Sequence, residues 1–113
     1  MTPREVLFLI SQTGEVLWRD VGESPLALPD TRTRWEALWH YREALAIVAH
    51  SHPLGPASFS EEDESTMRAV EDALGRTLTW VVVAPVALVQ RGPVTVDARA
   101  GWVSELKTLS HMT

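Results

Sequence analysis

The stretch that organises the chain covers residues 45–63 and reads LAIVAHSHPLGPASFSEED. Its opening run, Leu45 to Ala49, is apolar, which is typical of a buried central strand. A loop that contains prolines and a glycine follows from His50 to Phe59. Ser60 then occupies the position of a helix N-cap, and the apolar positions beyond it predict a helix that ends at Gly75. The stretch therefore predicts a strand, a polar loop and a helix in succession.

The sequence before this stretch predicts a hairpin and a helix. Two β-favouring segments, residues 6–10 and 15–21, are joined by turn-forming residues, which is the pattern of a β-hairpin. A connection that contains prolines then leads to Asp30, a good N-cap for a helix that begins at Thr31. Tryptophan and leucine recur in that helix at three- and four-residue spacing, so one of its faces is expected to be apolar.

The sequence after the stretch predicts further strands and a terminal helix. Apolar runs at Leu78–Val89 and Val94–Val96 are typical of strands, and residues 101–110 fit a short helix. The element order is then β-β-α-β-α-β-β-α, which indicates an α/β or α+β fold with a mixed β-sheet flanked by helices. A chain of 113 residues has the length of one domain, so we expect a single domain over residues 1–113.

Charge and composition argue against several classes of function. Ten Lys and Arg against fifteen Asp and Glu give a net charge of -5, which repels a phosphate backbone, so nucleic acid is not expected as a partner. The longest apolar run, Leu78–Val89, is shorter than the roughly 20 residues of a membrane span. The N-terminus lacks the pattern of a secretory signal, so we expect a cytoplasmic protein without a membrane partner. Because the chain contains no cysteine, any metal must be held by imidazole and carboxylate groups.

The loop supplies a set of side chains that suits a metal ion. His50 and His52 are two residues apart at the end of the predicted strand, so their imidazoles point the same way. Asp63, in the first turn of the next helix, can complete a set of three ligands. Such a set leaves a fourth position open to water, which distinguishes catalytic zinc sites from structural ones.

The spacing of these residues, HxHx(7)SxxD, resembles the motif of the JAMM (MPN-plus) metallopeptidases, which include prokaryotic JAB proteins. The resemblance implies that His50, His52 and Asp63 bind Zn²⁺ and that Ser60 helps to stabilise an oxyanion. It also implies the cytidine-deaminase-like architecture of JAB/MPN domains. The HPLGPASFSEED form of the motif, with a glycine two residues after the proline, further resembles the bacterial RadC-type branch.

The family also uses an upstream glutamate as general acid and base. Glu5 and the apolar residues after it resemble the family pattern Glu-Val-x-Gly-Leu, with Phe8 in place of the usual glycine. The resemblance therefore implies that Glu5 is catalytic, while Glu15 and Glu23 are alternatives for the same role.

Three functions follow as hypotheses. The first is a zinc-dependent peptidase or isopeptidase that acts on a peptide or on a ubiquitin-like or sulfur-carrier protein. The second is a metal-stabilised interaction module without catalysis. The third is a RadC-like role near DNA, which the acidic charge disfavours.

Some of these residues also have purely structural interpretations. Ser60 and Asp63 approximate a capping box, which would stabilise the helix start without any chemistry. His40 and His111 are expected to be ordinary structural or surface residues. The chain contains five tryptophans, which are expected to fill the core. For Trp35 and Trp39 the alternative is an exposed contact surface for a partner or for a second copy in a homodimer, and both interpretations stay open here.

Overall fold

A computed structural model describes residues 2–22 and 31–112. Its elements follow the order β-β-α-β-α-β-β-α, so the predicted α+β class with a mixed sheet is confirmed. The strands of the described part are β1 (Val6–Ser11), β2 (Val16–Val21), β3 (Leu45–Ser51), β4 (Thr79–Val83) and β5 (Leu88–Arg91). The helices of the same part are α1 (Thr31–His40), α2 (Glu61–Leu74) and α3 (Gly101–Leu109).

The strands form one sheet in the order β2-β1-β3-β4-β5. All neighbours are antiparallel except β3 and β4, which are parallel. Parallel neighbours need a crossover, and α2 supplies it between β3 and β4. The central strand β3 therefore pairs on both sides, and α2 begins just beyond its carboxyl end.

The alternation of side chains along the strands separates two apolar clusters. Leu9 and Val48 belong to the cluster that packs against α1 and α2. Phe8 and Ala49, their neighbours in sequence, pack on the opposite side with Leu106 of α3. The sheet is thus covered on both faces, which explains the continuous apolar runs Val6–Ile10 in β1 and Leu45–Ala49 in β3.

Side-chain hydrogen bonds fix α2 against the sheet. Ser60 is the N-cap of the helix, and Gly75 ends it in the left-handed conformation at φ 67°, which glycine adopts without steric cost. Near the other end, one carboxylate oxygen of Glu71 accepts hydrogen bonds from the Leu78 backbone N–H and the Trp80 indole N–H, both at 2.9 Å. These contacts hold the C-terminal part of the helix beside the start of β4.

The prediction of a strand at Val94–Val96 was wrong. The run Leu78–Val89 contains β4 and the first residues of β5, and residues 94–96 form an irregular segment. The Gln90 side chain bonds to the Val94 carbonyl and accepts from the Val96 N–H, while the Val94 N–H donates to Thr79 Oγ1. Because side chains satisfy these backbone groups, the segment needs no strand partner. The predicted N-cap Asp30 lies outside the described residues.

The tryptophans divide between core and surface. Trp80 and Trp102 are buried as expected, whereas Trp18 and Trp35 are half-buried against the α1 and α2 cluster. Trp39 is 56% exposed, so the expectation that it fills the core was wrong. The Arg42 guanidinium lies 4.0 Å from its ring centroid, which is a favourable cation–π distance. Its role in a contact surface or homodimer stays a prediction.

Within the described ranges, no helix is long and apolar enough to cross a membrane.

Two valines of different exposure test this description of the core. Val81 is fully buried in β4, while Val86, between β4 and β5, is 96% exposed. We expect Val81→Ala to lower the free energy of unfolding by about 2 kcal/mol, because it removes buried methyl groups and leaves a cavity. Val86→Ala should change it by less than about 0.5 kcal/mol. Urea denaturation followed by tryptophan fluorescence measures both, and equal effects would contradict the assignment of the core.

Candidate metal centre

The strand pairing of β3 aims both histidines at the same side of the sheet. His50 follows Val48 by two residues and so shares its face, towards α1 and α2. The His52 backbone N–H donates to the Val83 carbonyl at 2.9 Å, which continues the pairing with β4 beyond the end of β3. The alternation therefore also continues, and His52 faces the same way as His50.

A capping box places the carboxylate of Asp63. The Ser60 backbone N–H donates to Asp63 Oδ2 at 2.8 Å, and the Asp63 N–H donates to Ser60 Oγ at 3.0 Å. This reciprocal pair satisfies two backbone donors at the helix start. The structural interpretation of the Ser-x-x-Asp sequence is therefore confirmed, and the same bonds restrain the carboxylate beside the histidines.

The three side chains converge closely enough to hold one metal ion. The Nε2 atoms of His50 and His52 are 3.0 Å apart. Asp63 Oδ1 lies 3.2 Å from His50 Nε2, and Asp63 Oδ2 lies 3.5 Å from His52 Nε2. A tetrahedral ion with ligands at about 2.0–2.1 Å requires separations of about 3.3 Å between donor atoms. The shortest separations between the three side chains lie near that value, and one ligand atom from each lies within 4.8 Å of the others.

A hydrogen bond at the second ring nitrogen of His52 also favours metal binding. His52 Nδ1 lies 3.0 Å from the Pro56 carbonyl oxygen, which can only accept. Nδ1 must therefore carry the proton, and Nε2 of the neutral ring presents its lone pair to the other donors. Metal-binding histidines commonly use such a backbone carbonyl to fix their tautomer and ring orientation.

The electrostatics of the centre favour a bound cation. Burial opposes ionisation of Asp63, yet hydrogen bonds with His50 and His52 and from the Ser60 N–H hold the pKa of that carboxyl well below its usual range. The hydrogen bond with Asp63 raises the pKa of His52, although burial of the ring opposes this. The three side chains are only 12–19% exposed, so little water screens their charges.

Glu5 lies on the same face as the histidines. Leu7 of β1 is opposite His50 of β3, so continuing the antiparallel register brings Glu5 opposite His52. Burial raises the pKa of Glu5, and Asp63 acts in the same direction, whereas the two imidazoles and Arg34 oppose the rise. A carboxyl that is easier to protonate than usual suits a general acid and base.

The backbone around Glu5 is held on several sides. Its carbonyl accepts from the Gly22 N–H at 2.8 Å, and the next residue, Val6, donates its N–H to Ser51 Oγ at 2.9 Å. Arg4 also donates to α3, from its backbone N–H to the Ser110 carbonyl at 3.2 Å. These bonds restrain the segment that carries Glu5.

Ser51, between the two histidines, is a residue that the sequence reasoning missed. It is fully buried on the opposite face of β3, where Ser110 Oγ of the C-terminal segment donates to its hydroxyl at 2.7 Å. Its hydroxyl thus links the segment after Glu5, the histidine pair and the end of α3. Its place in the HSH sequence could have indicated this, because a polar residue in a buried strand requires a partner.

The remaining sequence candidates lie away from the centre or outside the described residues. Glu15 is exposed in the turn after β1, about 20 Å from Glu5 along the six residues of the strand, and is therefore a poor substitute for it. Glu23 lies outside the described residues. His40 stacks edge-on against its neighbour Tyr41, and His111 Nδ1 bonds to the Thr2 carbonyl at 2.7 Å. Neither histidine approaches the metal centre.

A cavity of about 620 Å³ gives access to the candidate centre. Glu5, Ser60 and the three potential ligands all line it. Ser60 is exposed there, and because its oxygen already accepts from Asp63, its O–H remains available to donate to a bound molecule. The cavity therefore combines a potential metal site, a carboxyl of raised pKa and a hydroxyl donor.

The motif resemblance implies such a site, on a mixed sheet, for a JAB/MPN domain. Comparison with known proteins leads to the same family. The chain belongs to the prokaryotic JAB family: the family model described as prokaryotic homologs of the JAB domain matches residues 4–100. The family includes hydrolases.

Proteins named UPF0758 are among the relatives of this chain. One from Paracidovorax citrulli is 31% identical over 86 residues, which cover 71% of this chain and 36% of the relative. Another from Vibrio vulnificus is 39% identical over 64 residues, or 57% of this chain and 28% of the relative. The similarity places the chain near the RadC-type branch of the family. The matched part spans about a third of these relatives or less.

Metal analysis tests the assembled centre. We expect the wild-type protein, loaded with Zn²⁺ and dialysed, to retain about one zinc per chain, and His50→Ala to retain almost none because a buried ligand is lost. His40→Ala is the matched control and should behave as wild type, since His40 lies away from the cavity. Elemental analysis of the three proteins measures the ratio. Equal zinc in wild type and His50→Ala would show that the ion binds elsewhere.

The capping box gives a second test. Ser60→Ala removes the acceptor for the Asp63 N–H and should lower the free energy of unfolding by about 1 kcal/mol. Ser60→Thr keeps a hydroxyl at the N-cap and should recover most of that loss, and Ser58→Ala, in the preceding loop, serves as control. Urea denaturation measures all three. A Ser60→Ala protein as stable as wild type would contradict the role of this side chain in the cap.

Proposed function

We propose that this chain is a zinc-dependent hydrolase that cleaves an amide or isopeptide bond. The observation that supports this most is the shared cavity. In it, the Nε2 atoms of His50 and His52 are 3.0 Å apart and lie 3.2 and 3.5 Å from the two carboxylate oxygens of Asp63, and the Glu5 carboxyl lies on the same face.

The donor set supports zinc as the metal. Two imidazole nitrogens and one carboxylate oxygen are typical ligands of catalytic zinc, and the chain offers no thiolate as an alternative. When bound, zinc supplies a Lewis acid and lowers the pKa of water at its open position towards about 7. The hydrogen bond from His52 to Pro56 would hold that imidazole in place for the ion, and the capping box would hold the Asp63 carboxylate.

Glu5 and Ser60 have distinct roles in the proposed reaction. Glu5 accepts a proton from the attacking water and then delivers it to the leaving amine nitrogen, which a carboxyl with a raised pKa does more readily than an ordinary one. Ser60 donates its free O–H to the oxygen of the attacked carbonyl as negative charge develops there. Its fixed position at the N-cap limits the reorganisation that this hydrogen bond requires.

The substrate class follows from the family and from the shape of the site. The motif resemblance suggests a peptide, or the C-terminal segment of a ubiquitin-like or sulfur-carrier protein. The cavity is open to solvent through exposed residues such as Leu54 and Ser60, so an extended chain can enter it.

Activity of two matched glutamate variants tests the proposal. We expect Glu5→Gln to lower kcat/KM for zinc-dependent cleavage of internally quenched peptides by about 100- to 10,000-fold, because it removes the proton-transfer group. Zinc content should stay near that of the wild type, since Glu5 is not a ligand. Glu15→Gln, in the exposed turn after β1, should retain full activity.

Two results would count against the hydrolase. One is a zinc-loaded wild-type protein that cleaves neither the peptides nor ubiquitin-like fusions. The other is a Glu5→Gln protein that remains fully active. The first result would favour a metal-stabilised interaction module.

A second candidate is a RadC-like role near DNA, which is compatible with the similarity to the UPF0758 proteins. It requires attraction to a phosphate backbone, which a net charge of -5 opposes. A DNA-binding titration at two salt concentrations tests it. Salt-sensitive binding at micromolar protein would favour this role, and no binding at low salt would exclude it.

A further inference from the structure

The cavity extends beyond the metal centre into an apolar region. Its inner wall is formed by side chains of α1, α2, β3 and β4, namely Trp35, Leu38, Val48, Met67, Val70 and Trp80. Such a wall suits an apolar part of a ligand, while a few polar groups set its orientation.

Arg34 is the polar group of this region that the proposed mechanism does not use. It lies in α1 next to Trp35, and among the described residues that line the cavity it is the only lysine or arginine. The zinc ligands and Glu5 lie along the same cavity, and Arg34 is within electrostatic reach of Glu5. The part of the chain that the structure describes nevertheless contains no ion pair between them.

The guanidinium of Arg34 has an unused donor. Its Nε is buried, and no described residue accepts a hydrogen bond from it. A buried donor without an acceptor costs free energy, so such groups in native proteins usually find a partner in the functional state. Arg32 and Arg42 of the same region differ in this respect, because Arg32 pairs with Glu36 and Arg42 donates to the Trp39 carbonyl.

We propose that Arg34 is a specificity-determining residue that binds a carboxylate of the substrate, while the apolar wall holds a neighbouring apolar side chain. The inference rests on the proposed hydrolase function and names its substrate class: peptides that carry a carboxylate close to an apolar residue near the cleaved bond. The carboxylate comes either from an Asp or Glu side chain or from the C-terminus of the peptide.

The charges of the cavity favour a carboxylate over a phosphate. Arginine presents a planar fork that matches either group in a bidentate manner. However, Glu5, Glu62 and Asp63 line the same cavity and repel a doubly charged phosphate more strongly than a singly charged carboxylate. Peptide substrates also supply carboxylates without any modification.

Cleavage of matched peptides forms the first experiment. Three internally quenched peptides share one apolar core: one ends in a free carboxylate, one ends in an amide and contains Glu, and one ends in an amide and contains Gln. We expect zinc-loaded wild type to prefer one of the two carboxylate peptides over the Gln peptide by about tenfold or more in kcat/KM. Whichever peptide is preferred identifies the source of the carboxylate.

Variants at Arg34 test whether this residue causes the preference for carboxylate peptides. In Arg34→Gln the ratio of kcat/KM between the preferred carboxylate peptide and the Gln peptide should fall to about one, and Arg34→Lys should retain part of the preference, because lysine keeps the charge but not the fork. Arg32→Gln, on the same helix with a side chain that is 90% exposed, should behave as wild type. The inference is overturned if the wild type cleaves the peptides without a preference, or if the preference is unchanged in Arg34→Gln.

Binding without turnover forms the second experiment and separates this inference from the proposed function. N-acetylleucine and its amide are titrated into zinc-loaded wild type and Arg34→Gln, with chemical shifts followed by NMR. The ratio of the two affinities should fall about tenfold in Arg34→Gln, and because both proteins contain zinc, any contact of the carboxylate with the metal cancels from the comparison. An equal ratio in both proteins, or no detectable binding to either, overturns the role of Arg34. If binding depends on Arg34 but no peptide is cleaved, the hydrolase proposal fails and the carboxylate site stands.

Discussion

The alternation of side chains along β3 is the constraint on which the rest of the site depends. The strand is paired on both sides, with β1 and β4, and both of its faces are covered by helices. A shift of register by one residue would turn both histidines towards α3 and bury Ser51 against α1 and α2 instead. The two apolar clusters make such a shift very unfavourable, because Val48 and Ala49 would exchange environments. The packing of the core thus determines the direction of His50 and His52.

The start of α2 connects stability and chemistry. Asp63 accepts from the Ser60 N–H within the capping box, and the same carboxylate lies 3.2 Å from one imidazole and 3.5 Å from the other. A capping box alone does not require its carboxylate to lie beside two imidazoles. The added feature is three donor groups held together in a partly buried site, where they interact strongly with one another. A divalent cation in their midst would relieve the close approach of two imidazole nitrogens, of which at least one must otherwise carry a proton.

The sequence allowed much of the fold to be predicted, because local rules decide it. The hairpin, α2 with its caps at Ser60 and Gly75, and the order of elements all follow from apolar periodicity and turn chemistry. The error at Val94–Val96 arose because the sequence Val-Thr-Val favours a strand, whereas hydrogen bonds with the side chains of Gln90 and Thr79 satisfy the backbone there. Strand order could not be derived, since it depends on contacts between distant segments.

The candidate site was predictable to a similar degree. The motif spacing placed His50, His52, Ser60 and Asp63 together, because a strand end, a loop and a helix cap leave few other arrangements. The position of Glu5 rested on resemblance alone, and the register between β1 and β3 is what brings it to the same face. The only signal at Ser51 was that of a polar residue in a buried strand, and Arg34 carried no motif signal. Their environments depend on tertiary packing, against the C-terminal segment in one case and in the cavity in the other.

The most direct test of the metal centre is a crystal structure of the zinc-loaded protein with an anomalous difference map at the zinc absorption edge. This account predicts one strong peak between His50, His52 and Asp63, with Nε2 atoms and a carboxylate oxygen at about 2.0–2.2 Å from it. No peak among these side chains, or a peak held by other residues, would contradict it.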